Sequence, residues 1–199
     1  MSADPRDRRR QLNALAYSQA GYFSAAQALD FGYSYPVQRY HVGAGNWVRV
    51  DRGLFRLAGW PTEQDDEYVL WSVWSRNLGV VSHDSALYVH QLSDLVPTKT
   101  HLTVPPPFRK EDKLVQVHLG TLDENEVEQR RGWRVTTPLR TLVDAAGWPI
   151  SQEHVDQAVV DALERGAVTR REIIAASYSA SERAALRLER ALGRMVDHA

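Results

Sequence analysis

No cysteine occurs among the 199 residues. That absence excludes disulfides and thiolate zinc sites, and it suits a reducing compartment. No run of about 18 apolar residues is present, so no membrane-spanning helix is expected. The opening stretch, MSADPRDRRRQ, lacks the apolar core of a secretory signal, which makes the cytoplasm the expected location. Internal repeats and low-complexity tracts are missing as well. What remains is an ordinary globular composition, 43% hydrophobic with nine prolines. The length suits one large domain, or a small domain joined to a medium one.

Net charge is small too, at −1, but it is unevenly spread. Of 24 basic and 25 acidic residues, the first sixty positions hold eight arginines and four aspartates, which leaves 16 basic against 21 acidic in the rest. A basic end on an otherwise acidic chain suggests that this end meets a polyanion. All eight basic residues there are arginine, the side chain suited to bidentate contacts with phosphate or guanine.

Three short helices are expected in this basic region. Positions 6–19 put Leu12, Leu15 and Ala16 on one face and end at Gly21. Ser24 is a good cap for SAAQALDF, which stops at Gly32. Ser34 or Tyr35 begins a third helix with Pro36 in its first turn, closed by Gly43 and Gly45. The stretch WVRVDRGLFRLAG then alternates on either side of the turn Asp51-Arg52-Gly53 and reads as a β-hairpin. Val48, Val50, Phe55 and Leu57 are expected in its core, with Arg49 and Arg56 pointing away. Three helices followed by such a hairpin describe a winged helix-turn-helix.

The fold class expected is therefore α+β, with a winged helix-turn-helix over 1–60 followed by a mixed α/β domain over 67–199. Positions 60–66, WPTEQDD, read as the linker. Beyond it, helices are expected at EYVLWSVWSRNL and DSALYVHQL, strand-like segments at THLTVPPPF and KLVQVHLGTL on either side of a proline-rich, charged loop at 105–113, and a strand at GWRVTT. Thr137 and Pro138 start another helix, and two more follow between 151 and 176. The last segment carries Ala184, Leu186, Leu188, Ala191, Leu192 and Met195 at helical spacing, as a packing or oligomerisation helix would.

In a helix-turn-helix the recognition helix presents its N-terminal residues to base edges in the major groove. With Val37, Tyr40 and Ala44 assigned to the core, Tyr35, Gln38, Arg39 and Val42 look outward. Arg39 is then the candidate for guanine and Gln38 for adenine. Arg49, Arg52 and Arg56 of the hairpin would reach phosphates or the minor groove, and Arg8, Arg9 and Arg10 would clamp the backbone. The same face would serve equally on an adaptor that binds protein.

No catalytic centre is expected. Glu111-Asp112-Lys113 has the E-x-K pattern of a metal nuclease, with Asp84 or Asp94 upstream, but it lies in a loop ahead of its strand. His83 and His90 are seven apart, whereas a helical metal pair more often uses i, i+4. Ser82 is taken as an N-cap and His90 as a satisfied, partly buried histidine. No glycine-rich phosphate loop occurs, and neither a cofactor nor a metal site is expected.

Four blocks together resemble the AbiEi-type antitoxins. NWVRVDRGLFRLAG is similar to that family's hairpin pattern, G-x-L-x-R-V-x-R-G-V/I-Y-R. VVSHDSALYVHQL resembles the block that opens its second domain, and HLTVPP and VTTPLRTLVDAA resemble later blocks. The likeness runs from about residue 8 to 175. It departs at Asn46-Trp47, where a Gly-x-Leu pair is common, and at Phe55, where tyrosine is usual. The resemblance implies a type IV toxin–antitoxin role. The winged helix would repress its own operon at inverted repeats in promoter DNA. The second domain would oppose a nucleotidyltransferase-type toxin without a stable complex. Two-fold operators require a dimer or cooperative monomers, and the sequence leaves both open.

Overall fold

Asp4 accepts a hydrogen bond from the Arg6 amide and so caps the first helix, α1 (Pro5–Ser18). The computed structural model describes residues 4–194. Gly21, in the left-handed region at φ 82°, turns the chain into a short strand, β1 (Tyr22–Ser24). Ser24 and Gln27 then form a reciprocal capping box that opens α2 (Ala25–Asp30). Ser34 stands at the N-cap of α3 (Tyr35–Gly43), with Pro36 in its first turn. The hairpin follows as β2 (Trp47–Asp51) and β3 (Leu54–Leu57), with Gly53 at φ 71° in its turn. These strands form a three-stranded sheet in the order β1-β3-β2, with both pairings antiparallel. Leu12, Ala16, Phe23, Ala28, Tyr33, Trp47 and Phe55 make the core beneath it.

Phe55 and Leu57 of β3 face the core as expected, but the apolar face of β2 is not the one expected. Trp47 fills the core from β2, while Val48 and Val50 are 53% and 39% exposed. A bulge between Arg49 and Asp51 breaks the alternation of β2, so its later residues no longer follow the period-2 rule. Trp47 removes far more apolar surface than either valine, and its ring stacks on His41 with centroids 4.6 Å apart.

The chain divides into two compact units after Leu78 rather than at 60–66, and residues 130–133 group with the first. The helix α4 (Asp66–Trp74) therefore belongs with the N-terminal elements. Asp66 binds Arg56 of β3, which ties the start of this helix to the hairpin.

The second unit contains β4 (Val80–Val81), α5 (His83–His90), β5 (Thr100–Val104) and β6 (Val115–Leu119). A single 3-10 turn at Glu124–Glu126 leads to β7 (Val127–Arg130) and β8 (Trp133–Thr136). The five strands are ordered β6-β5-β4-β8-β7, with β5 parallel to β6, β4 antiparallel to β5 and β4 parallel to β8. Four helices complete it: α6 (Pro138–Gly147), α7 (Gln152–Glu164), α8 (Arg170–Ser177) and α9 (Glu182–Arg194). Thr137 caps α6 through the Arg140 amide, with Pro138 in its first turn. From α9, Ala184, Leu188, Ala191 and Leu192 are buried in one cluster with Leu142, Val155 and Ile173, so this face is used within the chain. Leu186 is 59% exposed, and Met195 lies outside the described residues.

Candidate nucleic-acid interface and histidine cluster

The helix α3 is turned away from the phase its apolar residues suggest. Gln38 is 3% exposed, and its amide nitrogen donates to the carbonyls of Ala25, at 3.0 Å, and Tyr33, at 2.8 Å. It pins α3 to the preceding turn and to α2, and is not placed to read a base. Its amide is buried and must be hydrogen-bonded, and satisfying it outweighs exposing apolar surface. Val42 packs against the core instead of facing out. Tyr40 is 68% exposed, and Val37 and Ala44 are exposed as well, the reverse of their expected placement.

Tyr35, at 61% exposure, and Arg39 look outward from α3 as expected. Arg49 and Arg52 are exposed on the hairpin. No side-chain hydrogen bond or ion pair joins Arg39, Arg49 or Arg52 to another described residue. From α1, Arg9 is exposed and borders a groove of about 370 Å³ with Tyr33, His41 and Trp47. Arg10 is exposed and pairs with Asp7 at 3.1 Å, an ion pair of little energetic weight at such exposure.

Two of the expected arginines are committed inside the fold. Arg56 donates to the carbonyls of Ala20 and Pro61 and to the Asp66 carboxylate, and its guanidinium lies over the Tyr22 ring. Antiparallel pairing of β1 with β3 sets Tyr22 directly opposite Arg56, which brings the ring and the guanidinium together on one face of the sheet. Arg8 is half-buried, donates to the Gly32 carbonyl at 3.1 Å and lies over Tyr33. Neither is a free phosphate contact.

In the second unit the structure brings together three histidines that are far apart in sequence. His101 lies on β5 and His118 on β6, where the parallel register pairs Thr103 with His118 and His101 with Gln116. Residues two apart share a face, so both imidazoles stand on one side of the sheet. The His118 Nε2 is 3.2 Å from the His101 Nδ1. His83 opens α5 with φ 50°, a left-handed conformation that costs an L-residue roughly 1–2 kcal/mol. Its ring stacks on His118 with centroids 3.5 Å apart and planes within 9°. Trp148 meets all three rings edge-on.

Burial holds all three imidazoles below their ordinary pKa. His83 falls to about 2, reinforced by its neighbours His118 and His101, and the other two fall to about 4. All three are neutral at neutral pH. Asp84 lies 3.7 Å from the His101 Nε2, and burial raises its carboxyl to about 6. Ser82 stands at the N-cap of α5 but makes no capping bond with its hydroxyl. That Oγ instead meets the His83 Nδ1 at 2.9 Å and accepts from the Thr103 hydroxyl at 2.8 Å.

His83 and Trp148 also border a cleft of about 560 Å³ with Glu126, Arg140 and Asp144. Arg140 donates to both carboxylates at 2.8 Å. His90 stands apart, with its Nε2 donating to the Thr136 carbonyl at 2.7 Å. Asp94 is paired with His154, and Glu111-Asp112-Lys113 lies in the loop before β6. Among the described residues, the group of His, Asp or Glu side chains arranged to hold a metal is His83, His101 and His118. Sequence spacing singles out His83 and His90 and gives no reason to join His101 and His118 to them. Their only local signal is a histidine on each of two neighbouring strands.

No protein-family model and no curated protein matches the chain. Among solved structures it is similar to the crystal structure of the RV2827C protein from Mycobacterium tuberculosis. The identity is 16% and the TM-score 0.61, over 97% of this chain and 78% of that one. At that identity the likeness is one of fold. No helix among the described residues is long and apolar enough to cross a membrane.

Proposed function

We propose that the N-terminal unit is a winged helix-turn-helix that binds promoter DNA, and that the protein is a transcriptional autorepressor. The observation that carries this reading is the outward display of Arg39 on α3 together with Arg49 and Arg52 on the β2–β3 hairpin. All three are exposed and without a side-chain partner among the described residues. The element order also supports it: two short helices separated by a turn, then a hairpin whose sheet includes β1. On this reading α3 enters the major groove, Arg39 reads a guanine, and Tyr35 sits beside the bases. Arg49, Arg52, Arg9 and Arg10 contact the phosphate backbone and set the position without specifying sequence.

We further propose, on the resemblance to AbiEi-type antitoxins, that the protein counters a nucleotidyltransferase-type toxin through its second unit, in the cytoplasm and without a stable complex. A reporter driven by the DNA upstream of its own gene tests repression. Co-expression with the toxin encoded beside it tests protection. Loss of both effects would remove the antitoxin role. The exposed Tyr35, Val37 and Tyr40 favour a second reading, in which this face binds a protein partner. Salt dependence separates the two, because phosphate contacts weaken steeply with ionic strength.

A further inference from the structure

We propose that His83, His101 and His118 form a binding site for one divalent ion of the zinc class, with a fourth coordination position open to an external ligand. The ligand nitrogens of the three side chains lie within 4.8 Å of one another. A tetrahedral zinc with Zn–N distances of about 2.0–2.1 Å has nitrogens about 3.3 Å apart along each edge. The His118 Nε2 and His101 Nδ1 stand 3.2 Å apart and so match one such edge. The His83 ring stacks on that of His118 with its ligand nitrogen within 4.8 Å of the other two, so it must tilt out of the stack to bring its in-plane lone pair onto the same ion.

The outer contacts, a hydrogen bond between Ser82 and His83 and the Asp84 carboxylate 3.7 Å from His101, resemble the pattern that orients metal-bound imidazoles. A ligating histidine donates its other ring N–H to a carboxylate, hydroxyl or carbonyl, which selects the tautomer whose lone pair faces the ion. Donation from the His83 Nδ1 to Ser82 leaves Nε2 as its ligand atom. The His101 Nε2 faces Asp84, which leaves Nδ1 toward His118. Asp84 brings a negative charge beside a divalent cation, and its Oδ1 is buried without a hydrogen-bond partner among the described residues. The left-handed turn at His83 aims that ring at the other two, and such strain often marks a site of function.

Three features set the class of ion. Three imidazole nitrogens suit zinc and its transition-metal neighbours, whereas magnesium and calcium prefer oxygen. The chain has no cysteine, so the site has no thiolate competitor. Three protein ligands with an open position are the arrangement of zinc sites that bind or activate a small ligand, whereas structural sites close with four. His83 and His118 are only partly buried, and His83 borders the 560 Å³ cleft, so an external oxygen ligand has a route to the fourth position.

The test uses the full-length chain stripped of metal by a chelator. Calorimetric titration with zinc gives one ion per chain, and zinc raises the melting temperature. Cobalt(II) in place of zinc gives the visible bands of a tetrahedral ion. His101→Asn and His118→Asn each weaken zinc binding by at least about 100-fold. Asp84→Asn, which removes only the outer carboxylate charge beside His101, weakens it about 10–100-fold. His41→Gln, in the other unit, leaves it unchanged. Circular dichroism of the metal-free variants establishes that they are folded. If the histidine variants do not fold, the wild-type cobalt spectrum decides alone. A wild-type chain that binds no zinc and gives no tetrahedral cobalt bands overturns the proposal. So does zinc binding that survives undiminished in folded His101→Asn and His118→Asn. The three rings would then be neutral packing around Trp148.

Discussion

Arg56 and Tyr22 face each other across β3 and β1, with the guanidinium carbon 4.6 Å from the ring centroid. The same guanidinium donates to the Asp66 carboxylate, and the two side chains are only 14% and 9% exposed. An arginine that looks like a DNA contact in the sequence is therefore a structural tie between the hairpin and the start of α4. Removing one partner of such a pair leaves a buried charge uncompensated, at a cost of about 3 kcal/mol or more. Arg56→Ala is expected to lower the denaturant midpoint accordingly, with no change in the salt dependence of DNA binding. Arg52→Ala should do the opposite: stability within about 0.5 kcal/mol, and a salt slope reduced by about one. Urea unfolding and anisotropy titrations on both variants check the pair.

Neighbours on α3 should separate in the same way. Gln38→Ala removes two hydrogen bonds to the carbonyls of Ala25 and Tyr33 and leaves a void, and is expected to destabilise the fold by about 1–3 kcal/mol. Arg39→Ala should leave stability unchanged while weakening specific DNA binding by about 1–3 kcal/mol and relaxing base preference at one position. Unchanged operator affinity in Arg39→Ala would show that α3 does not read the bases.

Gly21 is required by both backbone and space. Its φ is 82°, and a Cβ there would stand 2.6 Å from the Trp60 ring. Gly21→Ala is expected to cost about 2 kcal/mol or more, since the turn would be strained and the indole displaced. A thermal melt with an undiminished transition temperature would contradict this packing.

Arg187 performs a similar service in the second unit. It donates to the carbonyls of Ala146, Trp148, Ile150 and Ser151 and to the Gln152 side chain, and so fixes the connection between α6 and α7. Arg187→Ala should destabilise by about 2–4 kcal/mol. Arg187→Lys should recover little, because an ammonium cannot reproduce the planar fork. The connection carries Trp148, so faster hydrogen exchange of the backbone amides around Trp148 should report the loosening.

Much of the fold was legible because local chemistry decides it. Gly21, Ser24 and Pro36 mark helix ends through φ, capping and a missing N–H, and α1, α2 and α3 start and stop there. Thr137-Pro138 does the same for α6. What failed were faces and boundaries settled by distant partners. The phase of α3 depends on carbonyls of Ala25 and Tyr33, and the role of Arg56 on Asp66, ten residues away in the presumed linker. The histidine cluster was invisible for the same reason. His83, His101 and His118 meet through a parallel strand register and a left-handed turn, neither of which leaves a local motif.

The measurement closest to the central claim is binding of the purified chain to the DNA upstream of its own gene and to a scrambled duplex, each at two salt concentrations. Specific binding that weakens steeply as salt rises is expected, because exposed arginines displace counterions from phosphates. Equal affinity for both duplexes, or no binding even at low salt, would contradict it and assign the outward face of α3 to a protein partner.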